Sequence, residues 1–246
     1  MLAVRRFPYA PLLVSAVLSL SCDDSPTESN EPQTPASLDI VSGDDQQGVV
    51  GTELANPLVA RVEDANGLPI IGQLVNFRVT SGAGSVFAGS GLTNAQGIVQ
   101  DRWTLGTSTA DSQRVEARAV DPNTGARIVF STFRATPLPG PAHSVTKASG
   151  DAQTGTLGAA LTDSLAAGVV DSFGNPVPGV TVAWASAAGN GEVSPAMSVT
   201  NAQGVAKTRW TLGARMDVPH SVTATVGALT PATFGVTPTL PSSATR

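Results

Sequence analysis

Thr93-Asn94-Ala95-Gln96-Gly97, four further residues, then Arg102-Trp103-Thr104-Leu105-Gly106 is the stretch that decides the fold, because it occurs twice. It returns as Thr200-Asn201-Ala202-Gln203-Gly204, four residues, and Arg209-Trp210-Thr211-Leu212-Gly213, at an offset of 107 residues. The offset holds without a gap back through Asp64/Asp171, Gly67/Gly174, Pro69/Pro176, Gly72/Gly179 and Gly82/Gly189 to Ser42-Gly43-Asp44 against Ser149-Gly150-Asp151. Self-similarity at a fixed period sets the architecture before any local reading. It predicts two copies of one domain in tandem.

Within each copy apolar residues alternate with polar ones. Val75, Phe77 and Val79 flank Asn76 and Arg78, and Val180, Val182 and Trp184 are their counterparts. Trp103 and Leu105 share one face, with Arg102 and Thr104 on the other; Trp210 and Leu212 against Arg209 and Thr211 repeat the pattern. Val115, Ala117 and Ala119, and again Val222, Ala224 and Val226, alternate in the same way. Such short runs mark strands with one buried side. The intervals, Asp64–Pro69 with Asp171–Pro176 and Asn94–Gly97 with Asn201–Gly204, carry turn chemistry: Gly and Asn accept positive φ, and Asp or Asn side chains cap their own turns. No stretch of a dozen residues beyond the N-terminal segment has helical periodicity. About seven short strands per copy predict an all-β chain of two tandem immunoglobulin-like β-sandwich domains, with a closed barrel as the alternative.

Four motifs recur in order. Ser-Gly-Asp-x-Gln-x-Gly-x-x-Gly opens each copy at Ser42 and Ser149; Val-x-Asp-x-x-Gly-x-Pro-x-x-Gly follows at Val62 and Val169; Gly-x-Gly-x-Val stands at Gly82 and Gly189; Thr-Asn-Ala-Gln-Gly with its Trp-Thr-Leu-Gly comes last. This ordered set resembles the group 1 bacterial Ig-like domain, the repeat of invasin and intimin adhesin stalks, over about residues 37–136 and 144–237. The resemblance implies disulfide-free sandwiches used as rigid spacers on a bacterial surface. It is to the stalk: the translocator barrel and receptor-binding module of invasin-type proteins have no counterpart in these 246 residues.

The N-terminus reads as a lipoprotein-type signal peptide over residues 1–21. Arg5 and Arg6 form a positive region, and the apolar stretch Leu12–Leu20 is too short for a membrane span of about 20 residues. Leu18-Ser19-Leu20-Ser21-Cys22 resembles a lipobox, which makes Cys22, the only cysteine, the expected lipidation site. Residues 22–36 carry four acids, three prolines and no large apolar residue, so they cannot offset their ordering entropy and are expected to be a disordered tether. Extended at about 3 Å per residue, such a tether reaches about 40 Å. Residues 137–143, with Pro137-Leu138-Pro139-Gly140-Pro141, are the expected semi-rigid linker, and 238–246 a C-terminal tail.

Fourteen Lys and Arg against nineteen Asp and Glu give a net charge of −5, which loss of Arg5 and Arg6 with the leader would take to −7. That balance argues against nucleic acid, whose binding rests on cations meeting phosphates, and against adsorption to anionic lipid. No catalytic or cofactor-binding constellation emerges, and no cofactor is expected. His143 and His220 have no Cys or second His nearby and read as exposed loop residues; Gly82–Gly84 and Gly189–Gly191 lack the Lys-Ser/Thr of a phosphate loop and read as turns. Asp44, Asp45, Asp64, Asp151 and Asp171 do not form a calcium loop, so no metal is expected. Trp103 and Trp210, each mid-strand with Leu on the same face, read as core.

The copies differ in one place. Val115 to Phe133 spans 18 residues and Val222 to Phe234 only 12, so the first copy has a longer hairpin at 121–127. Loops at sandwich ends commonly carry binding, and this is the one candidate binding segment. The expected protein is not an enzyme: it is an exported, lipid-anchored cell-envelope module with a protein or glycan partner and no small-molecule substrate. Its alternatives are a specific surface adhesin or glycan-binding module, and a periplasmic accessory subunit.

Overall fold

The computed structural model describes residues 33–242, and they form strands, turns and coil without a helix. Cys22, the signal segment and most of the tether fall outside the described residues. The first domain contains β1 (Ser37–Ser42), β2 (Gln46–Val49), β3 (Leu58–Glu63), β4 (Leu74–Ser81), β5 (Ser85–Val86), β6 (Ser90–Leu92), β7 (Ile98–Asp101), β8 (Trp103–Thr104), β9 (Gln113–Val120) and β10 (Arg127–Leu138). The second contains β11 (Ser144–Ser149), β12 (Gln153–Thr156), β13 (Leu165–Val170), β14 (Thr181–Ser186), β15 (Gly191–Ser194), β16 (Met197–Val199), β17 (Val205–Leu212), β18 (Ser221–Thr225) and β19 (Ala232–Thr239).

Each domain is a two-sheet sandwich. In the first, β1-β3-β7 faces β2-β10-β9-β4-β6, with β5-β8 as a small flanking pair; in the second, β11-β13-β17-β15 faces β12-β19-β18-β14-β16. All pairs are antiparallel except β2 with β10 and β12 with β19. The chain therefore leaves one sheet after β1 and enters the other as β2, and the opening motif builds that crossing. Gly43 takes φ +91°, and a Cβ there would overlap the Pro57 carbonyl. Asp44 Oδ1 accepts the Arg134 N–H of the second sheet at 2.6 Å. Gln46 donates Nε2 to the Gly43 and Asn56 carbonyls and accepts the Asn56 N–H, all at 2.9 Å. Asp151 and Gln153 repeat these bonds to Gly235, Gly150 and Asp163.

The later motifs are equally structural. Asn94 and Asn201 cap their own turns through Oδ1, accepting the N–H groups two and four residues on. Thr93 Oγ1 accepts from Gln73 N and donates to Ile70 O; Thr200 does the same with Val180 and Val177. The two cores are separate clusters, around Trp103, Leu58, Val75, Val115 and Phe133, and around Trp210, Leu165, Val182, Val222 and Phe234. Both tryptophans are fully buried, and truncating such a residue costs about 3–5 kcal/mol.

The ordered domains reach further than composition suggested. Pro35 is buried and the Ala36 N–H donates to Glu63 O, so the β1–β3 ladder takes in the end of the expected tether. Pro137 and Leu138 pair with Gly48 and Val49, and Pro238 and Thr239 with Gly155 and Thr156. Pro137 and Pro238 lie past the last residues that pair with β9 and β18, where only β2 and β12 run alongside, so each loses at most one donor and these residues complete sheets instead of starting a linker or a tail.

Candidate functional site

Two places depart from the shared scaffold: the junction between the domains and the longer hairpin of the first. At the junction, the turn after β13 meets the end of the first sandwich. Asn175 Oδ1 accepts the Thr109 N–H at 2.9 Å and its hydroxyl at 3.3 Å, while Asn175 Nδ2 donates to Thr107 O at 2.8 Å. The same Nδ2 donates to Asp171 Oδ2 at 2.9 Å. Asp171 in turn accepts N–H groups from Phe173 and Asn175 in its own turn and from Gly140 in the connecting segment, each at 2.9 Å. The Phe173 ring lies over Gly51, where a Cβ would sit 3.0 Å from its Cζ. Asp171 and Asn175 are 2% and 7% exposed. Burial pushes the Asp171 carboxyl upward, but the Asn175 amide and the three N–H donors outweigh it, and its pKa lies below the ordinary value.

The copies show that this contact is local design. Asp64 caps the equivalent turn of the first domain, accepting from Asn66 and Leu68. There the position of Asn175 is taken by Leu68, which is 54% exposed. Gly158, the counterpart of Gly51, has nothing within 4 Å of its would-be Cβ.

The hairpin between β9 and β10 is held by Asp121, whose Oδ1 accepts the N–H groups of Asn123 and Thr124, with Thr124 Oγ1 accepting from Ala126. At its base the Arg127 guanidinium lies 4.1 Å above the Phe130 ring and reaches Glu116 Oε1 at 3.0 Å, which Arg118 also binds at 2.6 Å. Burial raises the Glu116 pKa, yet the two arginines lower it further, so the net shift is downward. The extension predicted from chain lengths is therefore present, and it brings Arg127 and Phe130 onto the outer face of the five-stranded sheet.

The remaining candidates resolve into structure. A cleft of about 310 Å³ lies between Glu53, Phe87 and Arg102. Its buried carboxylate, Asp101, is spent on the N–H groups of Ala88, Gly89 and Arg102. His143 is exposed, as expected, but His220 is 5% exposed, a correction. Its Nε2 donates to Arg215 O at 2.7 Å and its ring centroid lies 6.3 Å from that of Trp210, which draws it inward. Gly82 to Gly84 are the turn beneath Gly106, where a Cβ would overlap the Gly82 carbonyl. Among the described residues no three His, Cys, Asp or Glu side chains converge as a metal site, and no helix is long and apolar enough to cross a membrane.

The capped turns at Asp171 and Asn201 and the buried Trp210 lie within residues 159–238, which match the description bacterial Ig-like domain, group 1. The match lies in the second domain. The first domain carries the same motifs with the same hydrogen bonds, so one sandwich architecture is present twice. The chain is 30% identical over 156 residues to the inverse autotransporter adhesin YeeJ of Escherichia coli strain K12, which covers 61% of this chain and 6% of YeeJ. It thus spans a small fraction of that relative. Solved structures similar to this chain include the D0-D1 domain of intimin, at 15% identity with 82% of this chain and 95% of that one covered and a TM-score of 0.31. Another is the Escherichia coli adhesin FdeC, at 17% identity with 81% and 63% covered and a TM-score of 0.45.

Proposed function

We propose that this chain is a non-enzymatic, exported and lipid-anchored spacer of the bacterial cell envelope, whose two Ig-like domains present a surface at a set distance from the membrane. Its strongest support is the junction, where Asp171 and Asn175 tie the second domain to Thr107, Thr109 and the connecting Gly140. A joint with buried polar groups resists bending, because opening it means rehydrating each of them. The other buried polar side chains, among them Thr93, Asp101 and Thr200, serve turns and ladders in place of a reacting group. In this reading Cys22 becomes the lipidated anchor, and the acidic segment behind it sets the reach. The relation to an inverse autotransporter adhesin favours the envelope, and a protein or glycan as partner.

The test is made in a Gram-negative host expressing the full chain. Mass spectrometry is expected to find a diacylglyceryl group on Cys22, and Cys22→Ser to move the chain from the membrane to the soluble fraction. Membrane retention of Cys22→Ser would overturn the anchor. Protease added to intact cells would then separate surface display, where the domains are cut, from a periplasmic site, where they are protected.

A further inference from the structure

The negative net charge conceals where the cations are. β4, β9 and β10 pair in the registers Asn76–Arg118, Arg78–Glu116 and Arg114–Arg134. Val75, Phe77, Val115, Ala117, Phe133 and Ala135 point into the core from those strands. Alternation therefore puts Arg78, Arg114, Arg118 and Arg134 on the opposite, outer face. Arg127 joins them, since it shares Glu116 with Arg118. Five of the chain's fourteen Lys and Arg thus lie on one sheet face of a net acidic protein. The carboxylates facing them are Glu116, already bound to two arginines, and Asp44 at the sheet edge, whose Oδ1 is bonded to the Arg134 backbone.

The fold does not ask for these arginines. In the second domain β14, β18 and β19 pair in the same register, and the positions equivalent to Arg78, Arg114, Arg118 and Arg134 hold Ala185, Ser221, Thr225 and Gly235. Moreover, Arg114 and Arg134 stand directly opposite each other across the ladder and both are exposed. Like charges so placed destabilise a sheet. A costly pairing that the sister domain avoids marks a functional position.

We propose that the outer face of β4, β9 and β10 in the first domain is a binding surface for a linear anionic polysaccharide. Guanidiniums are planar forks that match carboxylate and sulfate oxygens two at a time. The face is extended: Arg114 to Arg118 spans about 14 Å along β9, and three strands span about 10 Å across. A chain with repeated charges engages that area where a single small anion cannot. The positions between the arginines are polar (Asn76, Glu116, Thr132), so the face lacks the apolar centre of a stable protein interface. Its aromatic residue, Phe130, is half exposed but already stacks the Arg127 guanidinium on its ring, and a single such ring does not make the row of platforms on which successive bases stack. The surface stands independently of the anchoring proposed above.

The experiment measures binding of the full chain to alginate and heparin, with dextran, duplex DNA and anionic phosphatidylglycerol vesicles in parallel, at rising salt. Three variants, Arg78→Ala, Arg114→Ser and Arg134→Ser, are combined, since none of these side chains belongs to the Glu116 network. The matched control combines Lys147→Ala, Lys207→Ala and Arg209→Ala in the second domain, removing equal charge elsewhere. The expected result is salt-sensitive binding to alginate and heparin but not dextran, weakened about tenfold by the first set, as several-fold per exposed ion contact implies, and less than twofold by the control. Amide chemical-shift changes on the unmodified chain are expected to cluster on β4, β9 and β10, a readout that needs no variant to fold. Absence of binding, equal loss in the control, shift changes elsewhere, or tighter binding to DNA or vesicles would each overturn the proposal.

Discussion

Replacing Asn175 by Ala is the perturbation that the junction makes most informative. It removes two well-formed bonds between the domains, Nδ2 to Thr107 O at 2.8 Å and Thr109 N to Oδ1 at 2.9 Å, together with the longer Thr109 hydroxyl contact at 3.3 Å. At about 1 kcal/mol net per bond the joint loses about 2–3 kcal/mol. Since about 1.4 kcal/mol is a factor of ten, the ratio of open to closed junctions rises about 30- to 150-fold. The second domain keeps the turn bonds of the Asn175 backbone, to Asp171 Oδ1 and from the Asp171 N–H, but loses the Nδ2 bond to the buried Asp171 Oδ2. Spin labels on Leu92→Cys and Met197→Cys, both on exposed positions, in a Cys22→Ser background would report the distance between domains. We expect a narrow distribution that broadens markedly in Asn175→Ala, while unfolding of the first domain shifts by less than about 1 kcal/mol and that of the second falls by about 1.5–3 kcal/mol for the lost bond to the Asp171 carboxylate. The Asp171 carboxyl should also titrate at higher pH in the variant, having lost the amide donor that holds it down. An unchanged distance distribution would refute the assignment of the joint to these bonds.

Other outcomes follow from the same contacts. The Trp210 Nε1–H donates to Asn190 O at 2.9 Å whereas the buried Trp103 Nε1–H has no partner; Trp210→Phe should cost about 1–2 kcal/mol more than Trp103→Phe by urea unfolding. Gly43→Ala meets both a positive φ and the Pro57 carbonyl, whereas Gly67→Ala meets a positive φ in open space. The second should cost about 1 kcal/mol and the first clearly more, again by urea unfolding. Asp171 has a folded pKa below its ordinary 3.8, so the stability that it contributes is full above that value and drains away as pH falls through the depressed one. Interdomain distances should therefore broaden below about pH 4 in the unmodified chain, and Asp171→Asn should show a weaker acid dependence.

Much of the fold was legible because the repeat marks its own scaffold. The Ser-Gly-Asp-x-Gln motif, seen twice, turns out to be a sheet crossing with both side chains committed, and Thr-Asn-Ala-Gln-Gly a capped turn. The burial of His220 is not legible in the sequence, because the fragment Pro-His after an exposed loop gives no sign of the Trp210 ring that receives it. The junction was half visible. Asp171–Pro176 is legible as a capped turn, but its partners Thr107 and Thr109 lie 66 to 68 residues away from Asn175 and carry no motif. The useful signal was the difference between copies, Asn175 against Leu68, rather than the similarity. The arginine face was hidden for a related reason: its members are spread from residue 78 to 134, and only strand register places them side by side. A net charge averages over such a surface and loses it.

The central claim, two Ig-like domains held as one rigid spacer, is tested most directly by residual dipolar couplings of the full chain in a weakly aligning medium. The account predicts that both domains report one alignment tensor, of equal magnitude and orientation in the frame of the described residues. Tensors of different magnitude in the two domains would mean that they reorient independently, and would contradict it.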